Sequence, residues 1–139
     1  MASFIYNSCI DDLARGNIDF DSDTFKVMLV TASYTADKDA HTKRNDVTNE
    51  VSGTGYSTGG VTSACTVNKD TANDKVTMTF ANVSWSTATI TARAAVIYKS
   101  RGGASSADEL VAYVDFGGNI TSTADTFAVT FNSPLTIQN

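Results

Sequence analysis

Near the start of the chain, Ile5, Cys9 and Leu13 recur at intervals of four, with Ile10 and Ala14 beside them. That spacing predicts one or two helical turns over residues 8–15, with Asn7 or Ser8 as cap and Gly16 as stop. Residues 25–31 are a near-continuous apolar run bounded by turn residues, too short for an ordinary helix and so a buried strand. The pattern then turns polar over residues 35–60, the longest such stretch, with a short helical piece possible over residues 43–50. A connection of this length in a small domain is usually functional or mobile.

From residue 61 onward the period becomes two. Residues 61–67 read as one strand. Residues 75–80 are the cleanest, with Val76, Met78 and Phe80 alternating with Thr77 and Thr79. Val83 and Trp85 continue the inward register, Thr87, Thr89 and Thr91 alternate with Ala88 and Ile90, and residues 93–99 form a further strand. Residues 100–108 read as a loop. Residues 109–116 make the next strand, ended by Gly117 and Gly118. Phe127, Val129 and Phe131 share one face of another, and residues 135–138 form a last edge strand after Pro134.

Seven or eight short strands with turn signals about every ten residues predict an all-β fold. The expected architecture is a single-domain β-sandwich (jelly-roll-like) or small barrel over residues 1–139, with a short N-terminal helix. It carries an N-terminal arm, residues 1–6, and a long polar loop, residues 37–60.

Composition agrees. Twenty threonines favour strands, and thirteen aspartates against two glutamates favour turns. The chain has 139 residues, enough to bury a core without a disulfide or metal staple. Its net charge is −5, and Lys38, Lys43 and Arg44 stand among Asp37, Asp39 and Asp46, which argues against nucleic-acid binding. No apolar run is long enough to span a bilayer, so no membrane is expected as a partner. The first ten residues lack the basic and apolar parts of a secretory signal. Cys9 and Cys65 are isolated, which reads as two free thiols.

Candidate chemistry is sparse. His41 is the only histidine, it lies in the polar loop, and no G-x-S-x-G elbow accompanies it; the chain reads as a non-enzyme. Asp19, Asp21 and Asp23 alternate as calcium-loop carboxylates do. Thr24 and Val30 stand where an EF-hand needs glycine and glutamate, so these read as turn charges, with a weak cation site the alternative. Gly53, Gly55, Gly59 and Gly60 lack the lysine of a phosphate loop and run into a strand. No cofactor or metal is expected. Tyr56, amid these glycines, is an aromatic that could be exposed as an interface anchor. Trp85, Phe80, Phe127 and Phe131 read as core.

Several stretches occur together in a familiar order: D-T-x-K-V-x-L-V-T over residues 23–31, with lysine as Lys26, then a polar loop with His41. E-V-x-G-x-G-Y follows over residues 50–56, A-V-I-Y-K over 95–99 and Y-V-D-F-G over 113–117. This order resembles small virion-associated proteins of tailed bacteriophages. The resemblance brings no catalytic residues. It implies a structural protein made in the host bacterial cytoplasm and located in the virion. The expected role is a capsid cement or decoration protein on the outer surface, bridging subunits of the major capsid protein as a dimer or trimer. The acidic balance suits a position away from DNA. The expected contacts are the arm (Phe4, Ile5, Tyr6) and the loop (His41, Lys43, Arg44, Tyr56). The alternative is a tail, neck or fibre component, or a module binding host-surface glycans.

Overall fold

A computed structural model describes residues 2–139. Eight strands form two antiparallel sheets. The first sheet holds β1 (Phe4–Ile5), β7 (Leu110–Val129), β6 (Val83–Lys99), β2 (Phe25–Val30) and β3 (Val61–Thr62), in the spatial order β1-β7-β6-β2-β3. The second holds β4 (Cys65–Asp70), β5 (Lys75–Phe80) and β8 (Leu135–Gln138), in the order β4-β5-β8. The one α-helix among the described residues, α1 (Asn7–Ala14), follows β1 directly. The fold is an all-β sandwich with a short N-terminal helix, and its sheets do not close into a barrel.

The main core lies between the sheets. Phe25, Val27, Leu29, Trp85, Ile90 and Ile97 of the large sheet meet Met78 and Phe80 of the small one. Phe20, Phe25 and Phe80 interlock, with ring centroids 5.4–6.3 Å apart. A second apolar cluster lies on the opposite face of the large sheet. Met28, Val30, Ala94, Val96, Tyr98, Leu110 and Tyr113 pack there with Tyr6, Tyr34 and Ala36. The apolar run in β2 follows from this: its centre is covered on both faces, so alternation disappears.

Residues 83–99 and 110–129 form two long strands of 17 and 20 residues rather than four or five short ones. They pair along almost their whole length, and irregularities absorb the turn signals. The largest is at Gly117–Gly118, expected to end a strand. The residues between Asp115 and Ile120 instead bulge out opposite Arg93, and Gly117 takes φ +81°, open to glycine at little cost. Residues 61–67 divide the other way. Ser63 and Ala64 carry the chain from β3 in the large sheet to β4 in the small one. The helical piece near residue 43 is a single 3₁₀ turn, Arg44–Asp46. Both cysteines are free, Cys9 buried and Cys65 half-buried.

Candidate functional site

The polar segment after β2 is fixed rather than loose. It crosses the second face of the large sheet as a roof, held at both ends by β2. Thr31 N–H donates to the Asn49 carbonyl and Val51 N–H to that of Leu29, each at 2.9 Å. Its middle is tied to the 100–110 connection: Arg44 N–H donates to the Asp108 carbonyl and Leu110 N–H to that of Thr42. Two aspartates fold the segment on itself. Asp37 accepts from the amides of Asp39 and Ala40, and Asp46 from those of Thr42 and Lys43. These amides hold both carboxyls below the ordinary carboxylate range.

Beneath the roof lie two buried carboxylates, Asp108 and Glu109, each 2% exposed. Arg44 pairs with Asp108 at 2.8 Å, and its guanidinium lies over the Tyr98 ring. Arg101 grips Glu109 through two nitrogens at 2.8 and 2.6 Å, with Lys43 Nζ 3.7 Å away. Burial pushes the Glu109 carboxyl up; the Arg101 bonds and the nearby cations outweigh it, and the net displacement is downward.

A second network runs from the core to the rim. Tyr6 Oη and Tyr34 Oη are 3.0 Å apart, and Tyr34 Oη lies 2.8 Å from His41 Nδ1. Asp37 N–H also points at Nδ1, at 3.3 Å. A backbone amide only donates, so Nδ1 carries the lone pair and the imidazole proton sits on Nε2. Tyr34 therefore donates to His41, and Tyr6 donates to Tyr34. Burial, reinforced by the Tyr34 contact, holds the Tyr6 hydroxyl protonated.

Tyr56 anchors the other end of the roof. Its hydroxyl donates to Glu50 at 2.6 Å and accepts from Leu29 N–H at 3.0 Å. Glu50 also receives Gly59 N–H at 2.7 Å. Burial, then the Glu50 bond, push the Tyr56 hydroxyl up. Its ring tilts against Trp85 at 5.6 Å.

The expected contact residues therefore look largely inward. Tyr6 is fully buried, and its side chain belongs to the second core. Phe4 and Ile5 are not a free arm: they form β1, in register with Tyr113 and Ala112, and Phe4 stacks on Tyr113. Lys43 and Arg44 are half-buried in the carboxylate network, and half-buried His41 ends the tyrosine chain. Tyr56 is a half-buried internal strut rather than an exposed anchor. The 19–23 aspartates act as turn caps: Asp19 accepts from Asp21 N–H, and Asp23 accepts from Asp19 N–H and pairs with Lys99 at 2.8 Å. Among the described residues no group of three His, Cys, Asp or Glu could hold a metal ion. No helix among them is long and apolar enough to cross a membrane.

What remains open to a partner lies elsewhere. A cleft of about 580 Å³ sits where β1 and β7 face the segment after β7, lined by Phe4, Ile5, Val114, Phe116, Phe131 and Leu135. A shallower groove of about 390 Å³ is lined mostly by hydroxyl-bearing residues, Thr31, Ser52, Thr89, Thr91, Thr121 and Thr123 among them, with Glu50, Val51 and Ile90. The Thr91 and Thr121 hydroxyls lie 2.9 Å apart across the strands. The alternating threonines of β6 were visible in the sequence as a hydroxylated face. The apolar cleft was not, because it joins chain ends distant in sequence. No family model, curated protein or solved structure matches the chain.

Proposed function

We propose that this chain is a structural protein of a tailed-phage virion, a capsid cement or decoration protein that binds the outer shell and bridges major capsid protein subunits. The observation that carries the reading is the inward commitment of the roof's cations. Lys43 and Arg44 pin the roof to the buried carboxylates Glu109 and Asp108, and Arg101 holds Glu109 from its own connection. The surface that remains offers hydroxylated strand faces and an apolar cleft, suited to holding a partner rather than turning one over. The sequence resemblance to virion-associated proteins points the same way.

The physics of a shell favours such a module. A protein that binds only the assembled lattice stabilises it by mass action. Many copies on one lattice let modest contacts add, and a symmetric dimer or trimer multiplies the points of attachment. A rigid roof suits this task, since a pre-ordered surface loses little freedom on docking. The acidic balance fits the outside of the shell.

The hydroxyl-lined groove favours a second reading, a tail or fibre module that binds host-surface glycans. Electron cryomicroscopy of the intact virion separates the two. Many copies bridging capsomers on the head support the cement reading; a few copies at the tail, with glycan binding by the isolated protein, support the second.

A further inference from the structure

The tip of the roof fastens the start of the chain, and the fastening converges on one ring nitrogen. The turn over residues 37–41 closes through His41 N–H, which donates to the Asp37 carbonyl at 3.0 Å. Asn7 N–H donates to the Lys38 carbonyl at 3.0 Å, and the Asn7 side chain to Asp39 at 2.6 Å. Ser8 Oγ reaches the His41 carbonyl at 3.5 Å. Asn7 opens α1, where an amide has no partner within the helix, so the tip takes the place of a cap. Beneath these contacts the chain Tyr6–Tyr34–His41 passes its protons one way. Nδ1 of His41 ends it as an acceptor, facing Tyr34 O–H and Asp37 N–H.

A proton on Nδ1 has no place in this arrangement. The Asp37 amide is a donor only, so N–H would face N–H. If Tyr34 reversed to accept, Tyr6 would turn its own proton into the core. Tyr6 is fully buried, and its hydroxyl has no other partner among the described residues. The surrounding charges pull the other way. Asp37 and Asp46, on the roof itself, attract an imidazolium. Lys43 and Arg44 are turned to Glu109 and Asp108, and Lys38 is exposed. On α1, Asp11 is turned to Arg15 and Asp12 to Asn17. The arm and β7 present the phenols of Tyr6 and Tyr113, which burial keeps protonated. The site thus draws a proton to the ring, yet cannot bond it while the ring stays on Tyr34. Turning the ring outward resolves both.

We propose that the 37–41 tip is an acid-sensitive latch on the start of α1: a proton on His41 Nδ1 turns the imidazole off Tyr34 and frees Asn7 from Lys38, while the rest of the roof stays closed. The ties of Thr31 and Val51 to the Asn49 and Leu29 carbonyls, and of Leu110 to that of Thr42, do not involve the ring. Histidine is the side chain whose ordinary charge change falls between about pH 5 and 8. Asp37, Asp46 and Glu109 are displaced downward and stay ionised over that range. The latch rests on the tip's geometry alone and is independent of any virion location.

The test is amide exchange by NMR in the full chain at about pH 7.5 and about pH 5.5, read as protection factors, which remove the pH dependence of the chemical rate. His41 is the only histidine, so its ring C–H signals report its charge in the same samples. Protection of the Asn7 and His41 amides is expected to fall roughly tenfold or more at the lower pH, in step with the ring signals. Protection of Val51 and Leu110 should not change. In His41→Asn, whose Oδ1 replaces Nδ1 as acceptor and does not titrate, Asn7 should stay protected at both pH values. Equal wild-type protection at the two pH values overturns the proposal, and this comparison decides alone if the variant fails to fold. A fall that does not follow the ring signals, that spreads to Val51 and Leu110, or that persists in His41→Asn also overturns it.

Discussion

At Glu109 burial and charge pull on one carboxyl in opposite directions, and charge prevails. Its folded value lies below its unfolded one, as does that of Asp46. The stabilisation is therefore complete above the ordinary carboxylate value and is lost as pH falls through the lower folded value. Urea midpoints should be flat near neutrality and drop below about pH 4. Glu109→Gln should flatten that acid limb and cost about 2 kcal/mol at neutral pH, because Arg101 and Lys43 lose a charged acceptor. The thiols make a second test. Burial pushes Cys9 up to about 12 and Cys65 up to about 11, so both are neutral at pH 7. Iodoacetamide should label half-buried Cys65 slowly and Cys9 only after unfolding. Free cysteines were legible in the sequence from their isolation. The roles of Lys43, Arg44 and Tyr56 were not, because their partners Glu109, Asp108 and the Leu29 amide come from other segments.

Among elements, β6 depends on Trp85 and β3 on Gly60. Trp85 is 4% exposed, packed between Tyr56 and Phe127. Trp85→Ala should cost about 3–5 kcal/mol in urea unfolding. Its indole N–H has no hydrogen-bond partner among the described residues, so Trp85→Phe should cost less, with only volume lost. Gly60 takes φ +77° where the chain enters β3, and a Cβ there would sit 1.8 Å from the Val27 carbonyl oxygen. Gly60→Ala should destabilise by more than about 1 kcal/mol, with earliest loss of amide protection at β2 and β3. The sequence made β5 and the helix legible by their periodicity, β2 by its short apolar run between turn residues, and β8 by its place after Pro134. It divided β6 and β7 into pieces because bulges carry the same glycine and Asx residues as turns. It read residues 37–60 only as a long polar loop because their polar side chains satisfy the segment's own backbone, a use that leaves no periodic trace.

The whole molecule is a sandwich with a roof, and its proposed task is mechanical. Heads lacking this chain should release DNA at a lower temperature than complete ones, and adding the purified protein should restore the difference, as a fluorescent dye-release melt would record. Shortening the 37–60 segment should bare the second core and unfold the large sheet, because it removes the ties of Arg44 to Asp108 and of Tyr56 to Leu29, as thermal denaturation would detect. One further property follows from the pairing of β1 with β7. Phe4 and Ile5 leave the ribosome long before their partners Tyr113 and Ala112. Strand β1 must wait, unpaired, until β7 is synthesised, and its docking is a late event in folding. The large sheet is therefore complete only after Ala112 and Tyr113 have emerged, so a nascent chain short of them does not present the closed sandwich.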